Sequence, residues 1–324
     1  WKNFGNEVKI LKPNFILNSF IRKKPFYKSG IYNDIENINY WLPFIGDIQN
    51  KIKTELKADA VVSHMPSGLI CARKLGLNYS AAVHNSDIEV LTNPIYKFYF
   101  KSELEKAYQA AKVILCRSFV LKNKFLNLYP EFSAKTFVIP SGIDKDIIIK
   151  RNWEEKDRIN ILTCAHLIKR KNIDKLINAC SKFDNVNLTI IGSGKEEKYL
   201  KKLASKNKSI CFKGQLPHSS VIDEMRKSDI FVLPSINETF GMVYLEAIAS
   251  GCITVCTKND GIDGIIIDEE NGFLTFVDNI ETTIKKILNF ENKNFILENA
   301  YKTALKYTKE NAAMNYLDII KMVS

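Results

Sequence analysis

Short runs of branched apolar residues recur along this chain. Each is closed by a polar turn and followed by a stretch with helical spacing, and the alternation occurs in two series. The first series predicts strands at 7–11, 60–64, 79–84, 113–116 and 136–140, with helices over 93–111 and 118–128. The second predicts strands at 159–163, 188–191, 210–212, 230–233 and 253–255, with helices near 172–182, 195–205, 218–227 and 241–250. Strands that alternate with helices are joined by crossovers instead of hairpins, so they form parallel sheets covered on both faces. The charged, weakly periodic stretch 145–157 reads as a linker between the two series. The expected class is therefore α/β, with one open parallel-sheet domain over 1–150 and a second over 151–305. A long helical stretch with one break covers 295–324, and its end, 306–324, forms a tail.

Open parallel sheets bind ligands beyond the carboxyl ends of their strands. His64, His84, His166, Gly192 and Glu238 all fall at such ends. The densest stretch is Pro234-Ser235-Ile236-Asn237-Glu238-Thr239-Phe240-Gly241-Met242-Val243-Tyr244-Leu245-Glu246-Ala247. It puts Glu238 on a strand-to-helix loop and Glu246 about two turns into the following helix. The Phe240 and Gly241 amides fall at that helix's N-terminus, where free N–H groups and the helix dipole attract an anion. Two carboxylates flanking an anion site suit a molecule with phosphate at its middle and hydroxyls at both ends, such as a nucleotide-sugar. Taken alone, the pair reads better as a surface loop acid and an ordinary helix acid; its context, with Pro234-Ser235 before and Phe240-Gly241 after, favours the site. Lys169-Arg170-Lys171 puts three cations at another strand end, which suits a diphosphate, although a charged helix start has the same pattern. Gly192-Ser193-Gly194 permits a tight turn and close backbone approach to a ligand. Position 197 holds Glu197 where a dinucleotide fingerprint needs glycine, which argues against NAD or FAD. Gly261, Gly264 and Gly272 fall in a loop region where ordinary turn chemistry explains them.

Composition narrows the classes further. The net charge is +11; residues 1–150 hold 22 Lys and Arg against 13 Asp and Glu, and residues 151–324 hold 25 against 23. A basic first half suggests an anionic partner, and a solvated lysine surface explains it equally well. The stretches 21–28 and 96–101 mix cations with aromatics, which suits an anionic membrane surface near a lipid-linked acceptor or, as simply, an amphipathic helix with solvated lysines. No nucleic-acid-binding module is recognisable, so nucleic acid is not an expected partner. Seven cysteines without a CxxC fit a reducing cytoplasm. Four histidines without metal-ligand spacing, and no Asp-x-Asp in a strand context, make a bound metal unexpected.

The second half resembles the group 1 glycosyltransferases, retaining enzymes of the GT-B fold. The resemblance rests on an ordered set: Ala165-His166-Leu167 with Lys171-Asn172, Ile191-Gly192-Ser193-Gly194, Phe212-Lys213-Gly214, Pro234-Ser235, Glu238 followed by Glu246 and Ala247, Gly251, and Asn271-Gly272-Phe273-Leu274. Weaker similarity reaches Val83-His84-Asn85-Ser86-Asp87 and the stretch from Ile139 to Asp144. The family implies two Rossmann-like domains around a cleft, with the C-terminal helix returning to the first domain, which receives the acceptor. The second domain would hold the nucleotide-sugar. By the resemblance Glu246 would bind the donor ribose, and Glu238 the hydroxyls of the transferred sugar. Thr239 and the Phe240 and Gly241 amides would lie near that sugar or the distal phosphate, and Lys171 would neutralise the departing diphosphate. His84 would approach the sugar from the first domain, and Gly214-Gln215-Leu216 would line the base beside the Gly192 turn. The family carries Arg where this chain has His166; a histidine lacks that planar, permanently charged fork, and Arg170 or Lys169 would supply it. The family's first strand and glycine-rich loop would lie ahead of Trp1.

The resemblance thus implies a retaining, metal-independent hexosyl transfer without a cofactor. The donor would be UDP-linked, and the acceptor a saccharide or lipid-linked molecule in cell-surface polysaccharide or glycoconjugate synthesis. The enzyme would be cytoplasmic or peripheral on the inner face of the cell membrane. An epimerase or phosphorylase on the same fold, or a non-catalytic nucleotide-sugar-binding subunit, are the alternatives.

Overall fold

The computed structural model of the chain describes residues 61–321. The strand expected at 7–11 and the aromatic-cation stretch at 21–28 lie outside the described residues. Two compact units are present: one of residues 61–117, 121–139 and 313–321, the other of 118–120 and 140–312.

The first unit is built on four parallel strands, β1 (Val62–His64), β2 (Ser80–Val83), β3 (Ile114–Cys116) and β4 (Thr136–Val138), side by side in chain order. The helices between them are α1 (Met65–Lys74), α2 (Asn85–Thr92), α3 (Pro94–Ala110) and α4 (Phe119–Leu128). The first two escape sequence reading: α1 carries Pro66 and Gly68 near its start, and α2 buries only Asp87, Val90 and Leu91. α1 opens on Pro66, which the first turn tolerates because its N–H would be unsatisfied there in any case. Alternate residues around β3 serve opposite faces, as the strand period requires. Ile114 and Cys116 join a core with Leu69, Leu104, Tyr108 and Phe125. Val113 and Leu115 join Ile139 on the other side, where Tyr316 and Ile319 pack against them. The C-terminal helix therefore returns to the first unit.

The second unit carries six parallel strands, β5 (Ile159–Cys164), β6 (Val186–Ile191), β7 (Ile210–Gly214), β8 (Ile230–Leu233), β9 (Ile253–Thr257) and β10 (Phe273–Thr275). Their spatial order is β10-β9-β8-β5-β6-β7, which is the 3-2-1-4-5-6 order of nucleotide-binding sheets. β8, beside the centre, is buried along its whole length, so its four apolar residues show no alternation. β10 is only three residues long and has too little pattern to be read from sequence. Helices α5 (Ile173–Cys180), α6 (Glu197–Ala204), α7 (His218–Lys227), α8 (Met242–Ala249) and α9 (Ile280–Leu288) fill the connections. The tail consists of α10 (Lys293–Lys306) and α11 (Lys309–Lys321). It breaks at Thr308, which bridges to Ile143.

The stretch 145–157 is not a free linker. Arg151 Nη1 donates to the Ser228 carbonyl at 2.5 Å, and Arg151 Nη2 and Lys156 Nζ each reach Asp229 Oδ1 at 2.8 Å. Asp229 Oδ2 also accepts from the Asn160 amide, at 2.9 Å. A carboxylate this deeply buried needs paired charge, and the cations come from the connecting segment. Among the described residues no helix is long and apolar enough to cross a membrane.

Candidate active site

The strand order of the second unit reverses between β5 and β8, and open parallel sheets bind ligands beyond the carboxyl ends of the strands at such a reversal. The loops that leave these two strands carry the residues that sequence reading singled out. From β5 the chain passes Ala165, His166 and Leu167 into a single 3₁₀ turn, Lys169–Lys171. Asn172 ends the turn in the left-handed conformation at φ 52° and donates from Nδ2 to the Pro234 carbonyl at 2.8 Å. The Ile236 amide donates to the Arg170 carbonyl at 2.9 Å, and Arg170 Nη1 donates to the Ile236 carbonyl at 3.2 Å. The two loops are thus fastened to each other before any ligand arrives.

Glu238 is where they converge. Its Oε1 accepts from Lys171 Nζ, from Ser235 Oγ at 2.6 Å and from Arg170 Nη1 at 3.1 Å. Burial works to raise the pKa of this carboxyl, but Lys171, Ser235 and Arg170 together outweigh it and hold the group below its ordinary range. Lys171 itself is buried. A third loop supports the arrangement from behind: Asp260 Oδ1 accepts from the Glu238 amide at 3.0 Å and the Gly261 amide at 2.8 Å. Residue 261 must be glycine, because its φ is +49° and a Cβ there would lie 2.9 Å from the Glu238 Cβ.

Past Glu238, Thr239 is half-buried and Phe240 buried. Gly241 caps α8 at φ 86°. In the first turn of α8 the Tyr244 amide donates to the Gly241 carbonyl at 3.1 Å, and the amides ahead of it are the ones a helix N-terminus offers to an anion. Glu246 is the fifth residue of this helix, little more than one turn in, because α8 begins only at Met242. Tyr244, Leu245 and Ile248 face the core as their spacing predicts, and Glu246 turns away from it. Glu246 Oε1 lies 2.9 Å from His218 Nε2.

The remaining donor-side residues line the neighbouring loops. The close approach that Gly192 permits is to the chain itself: at φ +131°, a Cβ would stand 1.9 Å from the Ala165 carbonyl oxygen. The Gly192 amide donates to the Gly214 carbonyl at 2.7 Å, and Ser193 Oγ reaches Gln215 Oε1 at 3.4 Å. These contacts bring the β5, β6 and β7 loops together, with Leu216 following Gln215. His166 is exposed, whereas Arg170 stands on Glu238. Cys164, at the end of β5, has its thiol pushed up to about 11, mainly by burial and further by Glu246. It is no nucleophile.

His84 lies in the first unit, directly after β2. Its Nε2 is 3.1 Å from His64 Nδ1, so one ring donates and the other accepts. Burial, His64 and Arg117, in that order, push His84 down to about 4, and burial and Arg117 lower His64 as well. Both rings are neutral at neutral pH. The His84 amide donates to Asp87 Oδ2 at 2.9 Å, and Tyr108 donates to the other oxygen of this buried carboxylate at 2.6 Å.

Sequence reading missed Asp260 and His218 as parts of the site, and it missed the His64–His84 bond within the first unit. Asp260 and His218 stand in unremarkable turns, Asn259-Asp260-Gly261 and Pro217-His218, and only the strand order brings them close.

The family model described as group 1 glycosyl transferases matches residues 144–311, more than half of the chain. The chain belongs to the group 1 glycosyl transferases. A Methanocaldococcus jannaschii protein named as an uncharacterized glycosyltransferase is 29% identical over 277 residues, 82% of this chain and 76% of its own length. Among solved structures, sucrose-phosphate synthase from Thermosynechococcus elongatus superposes with a TM-score of 0.71 at 16% identity, covering 88% of this chain and 78% of that one. Anabaena HepE, solved in complex with UDP, gives 0.69 at 15% identity, covering 86% and 82%. These likenesses bear out the GT-B fold expected of this group 1 member.

Proposed function

We propose that this group 1 glycosyl transferase moves a hexosyl group from a nucleotide-diphosphate sugar to a hydroxyl of a saccharide or lipid-linked acceptor, with retention at the anomeric carbon. The observation that carries the reading is the Glu238 carboxylate held by Lys171, Arg170 and Ser235 at the sheet's switch point, with Glu246 on the helix that follows. In the reaction the bond from the anomeric carbon to the diphosphate oxygen breaks. A bond from the acceptor oxygen forms on the same face, and the acceptor proton passes to the leaving phosphate. Charge develops on the diphosphate and on an oxocarbenium-like sugar, and catalysis amounts to stabilising both.

Lys171 and Arg170 answer the first need, each shared between Glu238 and the diphosphate, and the α8 N-terminus adds its amides. No metal is part of the proposal, because these groups supply the positive charge. Glu238 answers the second need. Its negative charge is secured by the same cations, so it accepts hydrogen bonds from sugar hydroxyls while ionised. Three donors on its Oε1 fix the orientation of the carboxylate, and attack on carbon of the kind a glycosidase nucleophile makes is not part of the proposal. Arg170 takes the part the family gives to the residue at 166. His84, neutral and bonded to His64, fits hydrogen bonding to the sugar, not charge compensation.

Uridine is the proposed base, by analogy with HepE, which was solved with UDP. Cell-surface polysaccharide or glycoconjugate synthesis in the cytoplasm is the proposed setting. Docking of the basic first unit on anionic lipid is tested by flotation with acidic vesicles, where salt-insensitive or absent binding ends that part. The central test is incubation with labelled nucleotide-sugars and a panel of acceptors, with product configuration read by NMR. An inverted product excludes retention; isomerised donor without transfer favours an epimerase. Glu246→Ala should abolish donor binding in calorimetry while the circular dichroism spectrum is unchanged; undiminished affinity removes the donor site from this position.

A further inference from the structure

Glu246 does not stand alone at its place on α8. Its Oε1 is 2.9 Å from His218 Nε2, while Oε2 has no protein partner among the described residues. The Glu246 side chain is only 17% exposed and that of His218 is 63% exposed, so a carboxylate largely withdrawn from solvent is bonded to an imidazole that stands in it. The position of His218 is not accidental. β7 ends at Gly214, which turns the chain at φ +67°, and Pro217 caps α7 so that His218 is its first residue. Backbone geometry therefore fixes where the imidazole leaves the chain, and α7 packs against both β5 and α8.

We propose that His218 is a specificity-determining residue of the donor site: it holds one oxygen of Glu246 so that the other is aimed at the ribose hydroxyls, and the site thereby selects ribonucleotides over deoxyribonucleotides. This rests on the donor reading above. A carboxylate with both oxygens free can rotate and take water in place of a ligand. One with a single oxygen bonded presents the other in a fixed direction, and a preorganised acceptor discriminates between a hydroxyl and its absence far better than a mobile one. With Nε2 as donor, His218 leaves Glu246 its acceptor capacity at Oε2. Its exposed edge also stands beside Gln215 and Leu216 in the chain, where the base is expected.

The test is calorimetry on the full chain with UDP, GDP and ADP, each beside its 2′-deoxy form, and with inorganic pyrophosphate. The wild type should prefer the ribonucleotide form of whichever base it binds. His218→Ala should reduce that preference by roughly three- to tenfold, the range of one directed hydrogen bond, and leave pyrophosphate affinity unchanged. His218→Gln, which can still donate to Oε1, should restore most of it. An unchanged ribose-to-deoxyribose ratio in His218→Ala overturns the proposal, as does an equal loss for ribo, deoxy and pyrophosphate ligands, which indicates a merely structural role. If Glu246→Ala loses nucleotide binding while His218→Ala keeps the full ratio, only the role of His218 falls. If no nucleoside diphosphate binds the wild type, the donor reading falls and this proposal with it.

Discussion

Glu238 holds its charge in a half-buried setting because two cations and a hydroxyl surround it, and the same cations are the ones a diphosphate requires. Lys171→Met leaves Glu238 to Arg170 and Ser235 and removes a preorganised positive group, so the transfer rate should fall by about 10²–10³-fold, the usual effect of deleting one such donor. Steady-state kinetics on the folded variant checks this, and a loss below tenfold assigns the role elsewhere. Arg170→Ala should also slow transfer severely, whereas His166→Ala, at an exposed position, should cost little. The reverse ranking would return the role to position 166. The histidine pair yields a pH prediction. His84 titrates at about 4 in the folded chain against 6.5 ordinarily. As pH falls from 6.5 towards 4 the unfolded chain takes up a proton that the folded one refuses, so stability drops across that window. Thermal melts of wild type and His84→Gln between these pH values should converge on acidification, since the variant has no such proton to gain. Parallel curves would show that His84 is not so shifted.

At the scale of elements, the site is a meeting of loops that leave adjacent parallel strands. The strands were legible in the sequence because a strand buried on both faces is a run of apolar residues, as at Ile230-Phe231-Val232-Leu233. Their end points told where chemistry could occur, and Glu238, Lys171, Gly192 and His84 all fell there. Helices α1 and α2 were harder: α1 carries Pro66 and Gly68 near its start, and α2 buries only Asp87, Val90 and Leu91, so no period emerges. The glycines of the β6 loop show why a motif's residues need not touch a ligand. Gly192→Ala would drive a Cβ to 1.9 Å from the Ala165 carbonyl oxygen at a φ of +131°. It should cost at least about 3 kcal/mol, combining backbone strain with overpacking. Gly214→Ala has a positive φ but open space around it, so strain alone, about 1 kcal/mol, applies. Urea denaturation of the two variants should separate them in that order; equal losses would mean that packing against Ala165 is not what fixes Gly192.

At the scale of the whole molecule, the chain is divided differently from its sequence. The tail at 313–321 counts with the first unit, where Tyr316 and Ile319 cover Val113, Leu115 and Ile139. Nothing in the tail's own spacing names its partner, because an amphipathic helix carries an apolar stripe without an address. Tyr316→Ala should therefore loosen the first unit by about 1–3 kcal/mol. Amide exchange at residues 113–116 should quicken while exchange at 159–164 stays as it was. Faster exchange in the second unit alone would contradict this packing.

The sequence by itself determined the α/β class, the strands of both sheets other than β10, and the residue types of a sugar-and-phosphate site, because burial and strand ends leave a local imprint on the chain. Only the tertiary structure decided which of those residues act together. Lys171 and Glu238 are 67 positions apart, and their contact follows from β5 and β8 being neighbours across the reversal of strand order. The same adjacency placed Asp260 behind Glu238, and the packing of α7 on α8 placed His218 on Glu246. Pair contacts of this kind depend on which strands lie side by side, and hydrophobic pattern records burial without recording neighbours.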